Sequence, residues 1–233
     1  STTVTNKLSS INGFSGETTS SIIFNNANNR LVIGYQTGLI EVLKEDNSIH
    51  ISADIVNFNQ SGEKTINHIS QFNNMLYLST PFAIVEYDVA KLEFGDTFFI
   101  GANSSSVRVN ETLIIGNQIF AATENGLYQA DLTNPNLIDF NNWTLLFSGS
   151  FSSITRYNNQ TYVSDSSNIY RVNGSNLELT KTLPTSILSI KSSDQYLIAT
   201  TERSAYVYNF VFTETFKTSP TITNDYHLNS ANI

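Results

Sequence analysis

The chain has 233 residues, a formal net charge of −8 from 20 acidic against 12 basic side chains, and no cysteine. That balance opposes binding along a nucleic-acid backbone, which needs clustered cations to displace condensed counterions. It also disfavours an electrostatic grip on anionic lipid, although one local Lys or Arg pocket could hold a phosphate. Without cysteine there is no disulfide framework and no thiolate zinc site, and the compartment stays open. No window approaches about 18 consecutive apolar residues, so no transmembrane segment is predicted. Few charges alongside abundant Asn, Ser, Thr, Tyr and Phe suit an all-β surface protein. The chain begins at Ser1 and its one methionine is Met75, which points to a mature or trimmed start.

In chain order, one phrase recurs: an apolar strand, a second apolar strand, a tight turn and a third apolar strand. Ser20–Phe24 precedes Arg30–Val42, Ile66–Ser70 precedes Met75–Asp88, and Glu111–Ile115 precedes Gln118–Asp131. Phe151–Arg156 then precedes Gln160–Asn173, and Ser186–Lys191 precedes Tyr196–Asn209. The residues before the central turns, Tyr35, Thr80, Thr123, Asp165 and Thr201, recur at a period of roughly 36 to 45 residues, the length of a β-propeller blade. The expected fold is all-β: a propeller of four-stranded antiparallel blades, about five of them here, forming part of a seven-bladed propeller, with residues 1–233 read as one domain.

In the clearest repeat Glu111–Ile115 is the inner strand, Gln118–Thr123 the second, Gly126–Asp131 the third and Trp143–Phe147 the outer one. Gly126 stands where a positive φ is easiest, and Asn168 takes the same slot in the fourth repeat. Small residues recur in the second strands, at Gly34, Ser79, Ala122, Ser164 and Thr200. Blades packed face to face would leave little room there. Residues 44–65 and 132–141 are expected to carry outer strands and rim loops.

Candidate chemistry is sparse. His50, His68 and His227 are far apart in sequence and none has metal-ligand spacing to another imidazole or carboxylate. Glu45-Asp46-Asn47 and Asp131 to Asn134 supply clustered oxygens, the minimum for calcium, but read better as turn residues capping their own backbone. Sequons at Asn59, Asn103, Asn110, Asn142, Asn159 and Asn173 are no more than so Asn-rich a chain produces by chance. Arg30, Arg108, Arg156, Arg171 and Arg203 occupy unlike positions in their repeats, and the acidic residues sit at turns and strand ends, which argues against a glycosidase. Trp143 reads as packing before it reads as a sugar platform. No catalytic, metal or cofactor-binding residue is assigned, and the ligand-binding residues are unknown.

The stretch Ile11–Gly16, then Ser20–Phe24, then Asn29–Val42 resembles the repeat of regulator propellers, which also underlies the N-terminal propeller of PorZ-like proteins of the type IX secretion system. Lys64–Asn67, Leu76–Asp88, Asp96–Gly101, Ala121–Leu127 and Asn142-Trp143 follow the order of motifs in the PorZ-like family, over about residues 8 to 147. The resemblance implies a fragment of a larger, non-enzymatic, cell-surface protein of a Bacteroidetes-type bacterium, exported and associated with the outer membrane. Its implied partners are a sortase and an outer-membrane barrel protein, and its implied task is to help attach secreted cargo to anionic lipopolysaccharide. The other readings are a sensory propeller of a hybrid two-component system that binds an oligosaccharide, and a carbohydrate-active propeller enzyme.

Overall fold

The structure, a computed structural model, describes residues 9–218, and the chain divides into two compact units on either side of the Thr97–Phe98 bond. The first unit holds two blades. Blade one is β1 (Thr19–Asn25), β2 (Arg30–Tyr35), β3 (Ile40–Leu43) and β4 (Ile49–Ser52), and blade two is β5 (His68–Phe72), β6 (Met75–Ser79), β7 (Ile84–Asp88) and β8 (Glu93–Phe98), whose last residue lies across the division. The second unit begins with blade three: β9 (Val109–Ile115), β10 (Gln118–Thr123), β11 (Gly126–Asp131) and β12 (Thr144–Ser148). Blade four is β13 (Ser153–Tyr157), β14 (Gln160–Asp165), β15 (Asn168–Asn173) and β16 (Asn176–Thr182). Blade five is β17 (Ile187–Ser192), β18 (Leu197–Thr201), β19 (Ala205–Tyr208) and β20 (Glu214–Lys217).

In every blade the strands pair antiparallel in sequence order, the up-and-down arrangement of a propeller blade. The expected inner strands fall within one or two residues of those observed, and Gln118–Thr123 and Gly126–Asp131 have their expected ends. The short helical segments were not foreseen, among them the 3-10 turns Ser10–Asn12, Ala102–Ser104 and Phe140–Asn142. The segment between β4 and β5 contains a short helix, α1 (Asp54–Asn57), which buries Ile55.

The sequence pattern of each strand follows its depth in the stack. Second strands are covered on both faces, so β6 (MLYLS) and β18 (LIATT) are nearly continuously buried instead of alternating. Outer strands keep one face in water, and β20 is exposed along its whole length. Between blades four and five the core is Ile169, Leu183, Ile187, Ile190, Leu197 and Ala199, edged by Tyr157, Tyr162, Tyr206 and Tyr208. Between blades three and four it is Ala122, Leu127, Phe151, Ile154 and Val163.

Gly34, Ser79, Ala122, Ser164 and Thr200 are all buried, as close packing of the second strands requires. At Gly34 the contact is explicit, since a Cβ there would meet Ile66 Cβ and Cγ2 at 2.8 Å, and the Ile66 amide donates to the Tyr35 carbonyl at 3.1 Å. Ser164 and Thr200 also use their hydroxyls, pairing at 2.9 Å with Ser152 and at 2.8 Å with Ser189. Gly34→Ala is therefore expected to destabilise the fold by about 1–3 kcal/mol through overpacking. The check is a lower urea midpoint with an unchanged m-value; an unaltered midpoint would refute the packing account.

Candidate functional site

Three of the turns between second and third strands share one side-chain device. Thr123 Oγ1 accepts from the Asn125 amide at 3.1 Å and the Gly126 amide at 3.0 Å, and donates to the Gly126 carbonyl at 2.8 Å. Thr80 does the same with Phe82 and Ala83, at 3.3, 3.0 and 2.7 Å. Thr201 bonds both the amide and the carbonyl of Ser204. All three threonines are buried at this step of the repeat, and at the fourth copy Asp165 accepts instead from the Asn168 side chain at 3.1 Å. A threonine hydroxyl folded onto its own turn satisfies amides that no neighbouring strand can reach.

This device corrects the expectation for Gly126 and Asn168, neither of which has a positive φ. Gly126 is glycine because a Cβ would lie 2.3 Å from Leu145 Cδ1 and 2.6 Å from the Phe147 carbonyl oxygen. Left-handed asparagines instead occupy turns that join first to second strands. Asn29, Asn73, Asn158 and Asn159 have φ between 47° and 60°, and the Asn158-Asn159 pair has the two positive φ values of a type I′ hairpin.

Polar groups also tie neighbouring first strands together. Glu111 on β9 accepts from Ser153 on β13 and forms an ion pair with Lys191 on β17, and Ser153 Oγ in turn accepts from the Ile190 amide at 3.0 Å. In blade one the buried Glu41 carboxyl accepts from Tyr35 Oη and, at 2.8 Å, from the Ser15 amide. Burial first, and then the Glu41 neighbour, push the Tyr35 phenol up to about 12. Arg30 spends its guanidinium on the Val89 and Ala90 carbonyls.

Of the residues singled out in the sequence, His68 begins β5 and is half-buried, His50 lies on β4, and His227 lies outside the described residues. Among the described residues no group of three or more His, Asp or Glu could hold a metal ion. Asp46 Oδ1 accepts from the Ser48 amide at 2.9 Å and its hydroxyl at 2.6 Å, and Asp131 Oδ1 accepts from the Thr133 amide at 2.9 Å and hydroxyl at 2.7 Å. These local bonds hold both carboxyls below their ordinary value, as the turn-capping reading requires. Trp143 is 6% exposed, donates from Nε1 to the Leu137 carbonyl at 3.0 Å and lies 6.0 Å from the Phe98 ring, so it packs rather than presenting a platform.

What the sequence reading missed is a cleft of about 600 Å³ at the ends of blades four and five. Asn158 reaches it from the β13–β14 turn, Asp194, Gln195 and Tyr196 from the β17–β18 turn, and Asn209 and Phe210 from the β19–β20 turn. The recurring asparagines of these turns were the available signal, but only the fold brings the three turns together. In the first unit a cleft of about 450 Å³ is lined by Asn28, Arg30, Lys44, Glu45 and Asp46, with Arg30 and Asp46 already engaged by their own neighbours.

Replacing Thr123 by valine keeps the shape and removes the hydroxyl, leaving buried turn amides unsatisfied. A loss of about 1–3 kcal/mol is expected, read by chemical denaturation, and equal stability would refute the role. The raised Tyr35 pKa sets a second expectation. Since the folded value lies above the ordinary tyrosine value of 10.0, its contribution is complete below about pH 10 and is lost as pH rises through about 12. Stability measured across that window should fall, and fall less in Tyr35→Phe; parallel curves for both proteins would contradict this.

The fold and its blade topology recur in solved structures. PorZ of Porphyromonas gingivalis, described as an essential bacterial surface component of the type IX secretion system, superposes with a TM-score of 0.74 at 20% identity, over 91% of this chain and 28% of that one. The chain thus spans little more than a quarter of that protein's length. The computationally designed protein Ika8 matches with a TM-score of 0.57 at 8% identity, over 86% of this chain and 61% of that chain. No curated protein sequence matches. The profile of the PorZ N-terminal β-propeller domain of the type IX secretion system matches residues 1–144, well over half of the chain, and the chain belongs to that family.

Proposed function

We propose that this chain acts as a non-enzymatic scaffold and binding propeller at the cell surface, within the complex that attaches type IX cargo to anionic lipopolysaccharide. The observation that carries this reading is the family match over residues 1–144, which covers the first unit and the start of the second. Its partners on this reading are a sortase and an outer-membrane barrel protein. Among the described residues no helix is long and apolar enough to cross a membrane, so attachment through partners fits the part seen here.

The disposition of carboxyl groups favours binding over hydrolysis. Asp46, Asp88, Asp131 and Glu178 are held below their ordinary values by local hydrogen bonds, the opposite of what a general acid needs. Glu86 is pushed up by burial, yet it sits between the Tyr77 and Gly95 strands and accepts from the Asp96 amide at 3.3 Å. Rigid blades with turns of varied sequence at their ends suit a protein that holds other molecules.

The test is affinity recovery of the tagged protein from native outer membranes of an actively secreting strain. The sortase and the barrel protein should both be enriched. Recovery of neither would overturn the reading.

A further inference from the structure

The cleft at the ends of blades four and five has a composition that selects its ligand. Phe210 is 66% exposed and its neighbour Val211 64%, although a single aromatic ring on a turn gains nothing for folding by standing in water. Beside it lie Tyr196, the carboxamides Asn158, Gln195 and Asn209, and one carboxylate, Asp194. Among the described residues no Lys, Arg or His lines the cleft, and no hydrogen-bond partner engages the side chains of Asn158, Asp194 or Gln195.

The loop presenting Phe210 is fixed. Asn209 Oδ1 accepts from the Val211 amide at 3.2 Å and the Thr213 amide at 2.9 Å, and the Asn209 amide donates to the Thr213 carbonyl at 3.1 Å. Phe212 is held at φ 56°, a conformation a bulky residue adopts only when packing imposes it. The packing is visible: its ring centroid lies 5.1 Å from Tyr162, 6.0 Å from Tyr208 and 6.4 Å from Tyr157. Tyr157 Oη in turn donates to the Gln195 carbonyl at 2.7 Å, tying this aromatic cluster to the β17–β18 turn on the other side of the cleft. Strain at Phe212 thus sets the position of Phe210 before any ligand arrives, which lowers the ordering cost of binding.

An aromatic face, amides and a carboxylate in one open cleft match the chemistry of a sugar ring. The C–H face of a pyranose packs on the aromatic ring, and vicinal hydroxyls bond side-chain amides, which donate and accept, and carboxylates, which accept. The lone Asp194 and the missing cations select against phosphate, sulfate and uronate. We propose that this cleft is a saccharide-binding site for uncharged sugar residues, with Phe210 as the stacking surface and Asn158, Asp194 and Gln195 as the hydrogen-bonding groups. The assignment does not rest on the secretion role, because capture of sugars by the purified chain and recovery of membrane partners fail separately.

The experiment is a glycan array carrying neutral mannose, galactose and N-acetylglucosamine oligosaccharides with phosphorylated and uronate-bearing counterparts, followed by calorimetry on the best neutral probe. The chain should capture neutral glycans in preference to anionic ones. Phe210→Ala should bind about tenfold more weakly and Phe210→Trp should retain binding, with both variants matching the parent in thermal midpoint because the ring is exposed. The assignment is overturned if no neutral glycan is captured, if anionic glycans are captured equally well, or if Phe210→Ala binds as the parent does.

Discussion

Within each unit everything depends on how closely the second strand of one blade can approach its neighbour. Gly34 and Ile66 are in contact with no room for a methyl group between them, and Ser79, Ala122, Ser164 and Thr200 hold the equivalent place in the other blades at almost no exposure. That approach buries both faces of the second strand, and it brings first strands side by side so that β9, β13 and β17 can share polar side chains. A bulkier residue at the small position would separate the sheets, and the buried aliphatic layers would lose contact along their length.

Such close packing creates a polar accounting problem, which the repeats solve in two ways. At the turn between second and third strands a buried threonine bonds the turn's own amides, in three of the five blades. Between first strands, Glu111 joins Ser153 and Lys191 across three blades. A carboxyl group so deeply placed is tolerable because a hydroxyl and an ammonium meet it. These devices are structural, and they leave variation to the turns at the opposite ends of the blades, where β1 meets β2 or β13 meets β14.

At those ends the two units differ in character. In the cleft of the first unit Arg30 and Asp46 already bond their neighbours, whereas the cleft of the second offers unengaged amides beside an exposed phenylalanine. The aromatic cluster of Tyr157, Tyr162, Tyr208 and Phe212 supports that loop from below, so the same residues close the core between blades four and five and shape its rim.

The strand order, the repeat length, the blade type and the small positions of the second strands were legible in the residues, because period-2 apolar runs and turn residues at a fixed spacing are local properties of the chain. The family was legible too, in the ordered motifs between Asn29 and Trp143. Other features needed the tertiary structure. Gly126 looks like a conformational glycine in sequence and is a steric one in space, since Leu145 and Phe147 arrive from a strand about twenty residues later. Tyr35 and Glu41 form a buried pair that no spacing rule announces. The cleft is the extreme case: Asn158, Asp194 and Phe210 lie far apart in the chain and stand in unremarkable turns, and only the stacking of two blades converts three separate hairpin ends into one surface.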